Sequence, residues 1–140
     1  QPSRGLGDVY KRQGLMDGLT LGYGTGEQGA STDLENAFVK YSMGPVTVAY
    51  QKSERDNSGA NNEESTGLGI GVAVNENLSV SYGMWDVDMG TGTDEESSGI
   101  SASYTMGSMT IVAVSNATDN VAGSSASDDT FSEVSVSFAF

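Results

Sequence analysis

The feature that most constrains this chain is a two-residue alternation of large apolar side chains with small or polar ones. Between residues 67 and 74, Leu68, Ile70 and Val72 alternate with glycine and alanine. The same pattern recurs at 46–50, 78–84, 100–106 and 134–140. Successive side chains of a β-strand point to opposite faces, so this period predicts strands with one apolar face.

Turn residues separate the alternating runs, and the connections are short and long in strict alternation. The short ones lie at 44–45, 75–77 and 107–108, where Gly, Asn and Pro suit tight hairpins. The long polar ones run at about 26–33, 54–65, 87–97 and 117–130. We therefore predict about eight strands, at residues 17–25, 34–43, 46–53, 66–74, 78–86, 98–106, 109–116 and 131–140. An all-β, antiparallel, up-and-down transmembrane barrel has short turns on one rim and long loops on the other.

Composition excludes several classes of function. The chain has no Cys and no His, which removes disulfides, most zinc sites and His-based acid–base catalysis. With a formal net charge of −13 it has no basic stripe for phosphates, so we predict no nucleic-acid partner. Paired carboxylates occur only in predicted loops, without an apolar pocket around them, so we predict no enzyme and no catalytic residue.

The N-terminal segment stands apart from the rest. Residues 1–13, QPSRGLGDVYKRQ, hold half of all Lys and Arg, and the stretch 5–13 resembles translated library-adaptor sequence. We interpret 1–13 as a non-native leader and assign the barrel to residues 14–140. Lys40, Lys52 and Arg55 are then the remaining basic residues.

Tyrosines recur at matching distances from the short turns. Tyr41 and Tyr104 each begin a Tyr-Ser/Thr-Met-Gly sequence, and Tyr50 and Tyr82 each follow the start of the next strand by four residues. Two levels of aromatic side chains are typical of the interfacial girdles of a membrane barrel. The alternative is ordinary core tyrosine in a soluble β-sandwich.

The C-terminus carries a resemblance to a known family. Residues 131–140 alternate through Val134, Val136 and Phe138 to a terminal Phe140. This resembles the C-terminal strand of Gram-negative porins, which the outer-membrane assembly machinery reads. The alternating residue pattern of the predicted hairpin strand at 77–83 is similar to that of alphaproteobacterial general porins.

The resemblance implies the C-terminal half of a barrel of about 16 strands in the bacterial outer membrane. Implied partners are membrane lipid, lipopolysaccharide and two further copies in a homotrimer. The implied function is a water-filled channel for passive diffusion of small hydrophilic solutes and ions. The constriction loop of such porins would fall outside this chain.

Strand parity divides the candidate site residues between two faces. Val39, Tyr41 and Met43 are predicted to face lipid, which turns Phe38 and Lys40 to the pore, and Gln51 is the third pore-lining candidate. Lys52 follows Tyr50 by two residues and so is predicted to point to the same lipid-facing side. Its long side chain is then predicted to extend to the lipid headgroups. Arg55 is predicted to lie solvated in a loop.

Carboxylates crowd the predicted long loops and lead us to predict preference for cations. The candidates for this acidic rim are Glu54, Asp56, Glu63, Glu64, Asp86, Asp88, Asp94, Glu95, Glu96, Asp128 and Asp129. They could hold Ca²⁺ at the loops, bridging to lipopolysaccharide, although a solvated acidic rim explains them as well. No other metal or cofactor is predicted.

Three alternatives remain open at this point. A small, complete, eight-stranded barrel would serve as a structural or adhesion platform. A soluble acidic β-sandwich would serve as a binding module. Residues 24–29 match the Gly-x-Gly-x-x-Gly of a dinucleotide-binding unit, and Thr32 with Glu35 could cap the helix that should follow. Against this, Glu27 would oppose a phosphate and the rest of the chain shows no helical period.

Overall fold

The computed structural model describes residues 9–27, 32–58, 62–90 and 92–140, with side chains described from Met16 onward. These residues form one antiparallel sheet of nine strands that pair in chain order. The strands are β1 (Val9–Met16), β2 (Leu19–Glu27), β3 (Thr32–Met43), β4 (Val46–Asn57), β5 (Glu63–Ala73), β6 (Leu78–Asp88), β7 (Glu95–Met106), β8 (Met109–Asp119) and β9 (Asp129–Phe138). The all-β, up-and-down prediction is confirmed.

Tight turns close the hairpins at one rim of the sheet, which we call the short-turn rim. Gly18, Gly44 and Gly107 have φ of 82°, 56° and 61°, a left-handed conformation that favours glycine. In the β5–β6 turn, Oδ1 of Asn75 accepts hydrogen bonds from the backbone N–H of Asn77 and Leu78, both at 2.9 Å. The turns predicted from sequence are therefore the turns observed.

The strands differ from prediction mainly at the opposite, long-loop rim. There β4 continues to Asn57, β6 to Asp88 and β8 to Asp119. Charged residues therefore join strands where polarity predicted loops, because a backbone ladder needs no apolar side chain. Between β8 and β9 a short 3₁₀ turn occupies Val121–Gly123.

The eight predicted strands correspond to β2–β9, and a ninth strand, β1, pairs with β2. One sequence interpretation needs correction. The dinucleotide-binding hypothesis is wrong. Gly24 and Gly26 lie inside β2, and β3 occupies the place of the expected helix; residues 28–31 lie outside the described part of the chain. The proposed origin of residues 1–13 stays a prediction.

The register sorts the side chains into two faces. Tyr41, Val48, Ile70, Tyr82 and Ile100 lie directly opposite one another across five strands and define the apolar face. The row Phe38, Gln51, Gly67, Trp85 and Ser97 lies on the other side, the polar face.

Large apolar side chains lie at the surface of this sheet. Met43, Leu68 and Ile70 are 65%, 50% and 43% exposed, and Val87 is the one buried hydrophobic residue among those described. A β-sandwich would cover one face with a second sheet, and the described residues form only one. The apolar face is therefore not covered by other described residues, which disfavours the sandwich alternative. No helix among the described residues is long and apolar enough to span a bilayer.

Candidate functional site

A row of minimal side chains crosses the polar face and forms what we call the glycine trough. Ala49 lies opposite Gly69, Gly69 opposite Gly83, and Gly83 opposite Gly99. These four residues carry nothing larger than a methyl group, and the Asn116 side chain of β8 covers Gly99, so the open part of the floor is formed by Ala49, Gly69 and Gly83. The resulting depression has a volume of about 430 Å³.

Larger side chains border the trough. Lys40 lies at one end, opposite Ala49, and is the only charged residue in its lining. On the side toward the long loops, Phe38, Gln51 and Trp85 stand in the neighbouring row. The trough therefore combines a glycine floor, two aromatic rings, an amide and one ammonium group.

The two aromatic side chains each cover a glycine on the next strand. A methyl group added to Gly22 would overlap the Phe38 ring, and one added to Gly67 would overlap the indole of Trp85. Glycine pairs with aromatic residues in this way because the ring takes the space that a side chain would fill. Each ring thus occupies the space beside its glycine.

The predicted pore-lining residues Lys40, Phe38 and Gln51 all lie on the polar face and line this one depression. Sequence reasoning missed Trp85 and the glycine floor. Trp85 follows Gly83 by two residues, so its side chain points to the same face of the strand. Continuing the alternation beyond Met84 would therefore have placed Trp85 on the polar face. The depth of the trough required the register of four strands.

Elsewhere on the polar face, short polar side chains hydrogen-bond across strands. Asn36 Nδ2 donates to Ser53 Oγ at 2.7 Å, and hydroxyl pairs join Ser81 to Ser101 at 2.7 Å and Ser97 to Thr118 at 3.0 Å. Hydroxyl groups keep further donor and acceptor capacity after one such bond. The face can therefore bind water along most of its length.

A second depression, also of about 430 Å³, lies on the polar face nearer the long-loop rim. Arg55 and Glu63 line it and lie directly opposite each other on β4 and β5. The prediction that Arg55 lies in a loop is wrong, because β4 extends through it.

The acidic rim divides between the two faces, mostly within strands. Following the register, Glu63, Glu95 and Asp129 belong to the polar face. The residues on the apolar side are Glu54, Asp56, Glu64, Asp86, Asp88 and Glu96. Asp94 and Asp128 lie in connections. Glu133, which the sequence prediction omitted, joins the polar face.

On the apolar side, two carboxylates share one cation. Glu54 and Glu64 are directly opposite each other, and Lys52 Nζ lies 2.7 Å from Glu54 Oε1 and 3.1 Å from Glu64 Oε2. Opposed like charges destabilise a sheet, and Lys52 offsets this repulsion. Within the described residues no group of three acidic side chains is arranged to hold a metal ion. The calcium hypothesis for the loops stays a prediction.

The predicted girdle tyrosines lie on the apolar face. Tyr41, Tyr50, Tyr82 and Tyr104 are 41%, 42%, 44% and 39% exposed. On β9, Val134, Val136 and Phe138 also point to this face and are more than half exposed. Phe140 follows the end of β9 and is fully exposed. Their roles at membrane interfaces and in assembly stay predictions.

Comparison with known proteins decides the family. The family model for Gram-negative porins matches residues 5–139. This chain belongs to the Gram-negative porin family. No curated protein matches it, and no solved structure matches it. As an outer-membrane porin it is a channel-type protein located in the bacterial outer membrane, in contact with lipid. Membership confirms the resemblance noted at the C-terminus and favours a channel over an enzyme.

Proposed function

We propose that this porin forms a water-filled channel for small hydrophilic solutes and ions, with the polar face as the wall of the lumen. The observation that carries the proposal is the register. It collects exposed Met43, Leu68 and Ile70 on one face and Ser, Thr, Asn and Gly on the other. A transmembrane barrel wall has the same division between lipid-facing and lumen-facing side chains.

Cation preference is part of this proposal. On β2–β9, the polar face carries Lys40 and Arg55 against Glu63, Glu95, Asp129 and Glu133. An excess of carboxylates in a narrow aqueous lumen raises the local concentration of cations. The acidic residues on the apolar side have no direct access to this lumen, so they contribute less.

Planar-bilayer recording tests both parts. Under a KCl gradient we expect stepwise conductance and a reversal potential of the sign given by potassium selectivity. A reversal potential of zero, or one with the sign expected for chloride selectivity, contradicts cation preference but not the channel proposal. Absence of conductance steps above those of an empty bilayer contradicts the channel itself.

The assembly of this porin as a homotrimer, implied by its family resemblance, is also proposed here. Chemical cross-linking in native membranes should give a band at three times the monomer mass. No specific observation favours the small, complete, eight-stranded barrel. Within the described residues β1 and β9 do not pair with each other.

A further inference from the structure

We propose that the glycine trough is a binding site for small solutes that carry a flat aromatic ring and a carboxylate, with benzoate as the simplest example. The proposal rests on the lumen assignment above, because it requires the polar face to be reached by solutes. It adds a specific site to a channel that otherwise selects by width and charge.

The floor supplies room for a ring. Gly69 and Gly83 lie side by side with Ala49, so a flat molecule can approach the backbone of the sheet closely at these positions. The volume of about 430 Å³ falls within the range of about 300–1,000 Å³ typical of small-molecule sites. An aliphatic or branched solute would use this shallow, flat floor less well.

Trp85 supplies a stacking partner. Its indole lies over Gly67 in the row next to Gly69 and Gly83, so one edge of the indole borders the glycine floor. Aromatic rings attract one another in offset or edge-to-face arrangements with centroids about 4.5–7 Å apart. A solute ring that lies over Gly69 and overlaps the outer face of the indole can adopt the offset arrangement, so the site favours an aromatic ring over a carbon skeleton of the same size.

Lys40 and Gln51 supply the polar contacts. Lys40 forms no ion pair with another described residue, and it is the only charge that lines the trough. It stands two strands from Gly69, which is roughly 10 Å at the usual spacing between strands. An extended Lys side chain and the carboxylate of a ring bound over Gly69 can meet across that span. The Gln51 amide lies along the same side and can donate to the other carboxylate oxygen.

The single tryptophan of the chain makes the proposal measurable. Trp85 is the only Trp, so emission from the protein folded in detergent micelles reports on the trough alone. Benzoate should change the emission saturably, whereas acetate and benzyl alcohol, each lacking one feature, should bind at least about tenfold more weakly. Saturation-transfer NMR on benzoate gives a second readout that does not depend on emission.

Two matched substitutions locate the site on the glycine floor. Gly69→Val fills the trough, whereas Gly71→Val adds the same side chain to the same strand and face outside it. Both positions have space: a Cβ at Gly69 would meet only Tyr82 O at 3.9 Å, and a Cβ at Gly71 would meet nothing within 4 Å. We expect Gly69→Val to abolish saturable binding and Gly71→Val to retain it.

Lys40→Gln tests the contribution of the lysine charge to binding separately from that of the aromatic contacts. Benzoate should bind about tenfold more weakly to this variant, with a much smaller change for benzyl alcohol. Linear, non-saturating changes that are equal in wild type and Gly69→Val, with no NMR transfer, would overturn the proposal. Fluorescence and NMR measure benzoate binding without ion flow, so the two proposals can fail separately. A protein that conducts ions but does not bind benzoate contradicts the binding site alone. A protein that binds benzoate but does not conduct ions contradicts the channel.

Discussion

The indole of Trp85 lies across Gly67, the residue directly opposite it on β5, so closely that one methyl group at Gly67 would overlap the ring. This contact orients the largest side chain of the polar face. Gly67 thus determines where Trp85 can stand and how much of the trough remains open.

Substitution of Gly67 tests this relationship. Gly67→Ala should lower the free energy of unfolding by about 1–3 kcal/mol, because the ring must move into a less favourable position. Urea unfolding in detergent micelles, followed by circular dichroism, measures the loss. Gly71→Ala is the control, since its Cβ meets nothing within 4 Å. Equal unfolding midpoints for the two variants would contradict the packing of Trp85 on Gly67.

Lys52 should stabilise the sheet by separating two carboxylates. Lys52→Gln leaves Glu54 and Glu64 opposed without a cation, so we expect a small drop in the urea midpoint. The drop should shrink in 1 M salt, where the Debye length is about 3 Å. Lys40→Gln, which removes a lysine without an ion pair to described residues, is the control. A drop of the same size at low and high salt would argue against the electrostatic cause.

Adjacent glutamates on opposite faces should affect ion selectivity differently. Glu63 belongs to the polar face and Glu64 to the apolar side. Glu63→Gln should move the reversal potential toward zero, whereas Glu64→Gln should leave it nearly unchanged, because only the first removes charge from the proposed lumen. The comparison uses the same KCl gradient for both variants. Equal shifts would mean that the faces are assigned wrongly or that both glutamates reach the pore mouth.

Glu95 should hold the loop between β8 and β9. Its Oε2 accepts a hydrogen bond from the backbone N–H of Ala122 at 2.7 Å, and Ala122 has a φ of 55°, which is strained for alanine. Glu95→Ala should speed hydrogen exchange at residues 120–124, measured by mass spectrometry. Glu95→Gln keeps an acceptor oxygen and should preserve most of the protection. Unchanged exchange in Glu95→Ala would show that other contacts hold the loop.

Phe140 should matter for assembly and not for the stability of the folded sheet. It lies beyond β9 and is fully exposed, so Phe140→Ala should leave the urea midpoint unchanged. The amount of protein in the outer membrane of an expressing cell should fall, while Phe140→Tyr, which keeps an aromatic terminus, should retain it. Equal membrane yields for the Ala and Tyr variants would remove the assembly role.

The sequence alone determined which side chains share a face. The pleat of a strand repeats every two residues, so parity by itself assigns Lys40 and Phe38 to the face opposite that of Tyr41. The glycines at 44 and 107 likewise predicted turns, because left-handed backbone favours glycine. Both features are local, which is why a single stretch of chain reveals them.

The tertiary structure decided which residues meet across strands and where the strands end. Trp85 and Gly67 are far apart in sequence, and so are Lys52 and Glu64, as well as the members of the glycine trough. Such pairings follow from the register, which the turn geometry and the hydrogen-bonded ladder set together. Polarity also misplaced the strand ends at Asn57, Asp88 and Asp119, since backbone pairing continues into charged sequence. Alternation therefore predicted the two faces, and register across strands assembled the site on one of them.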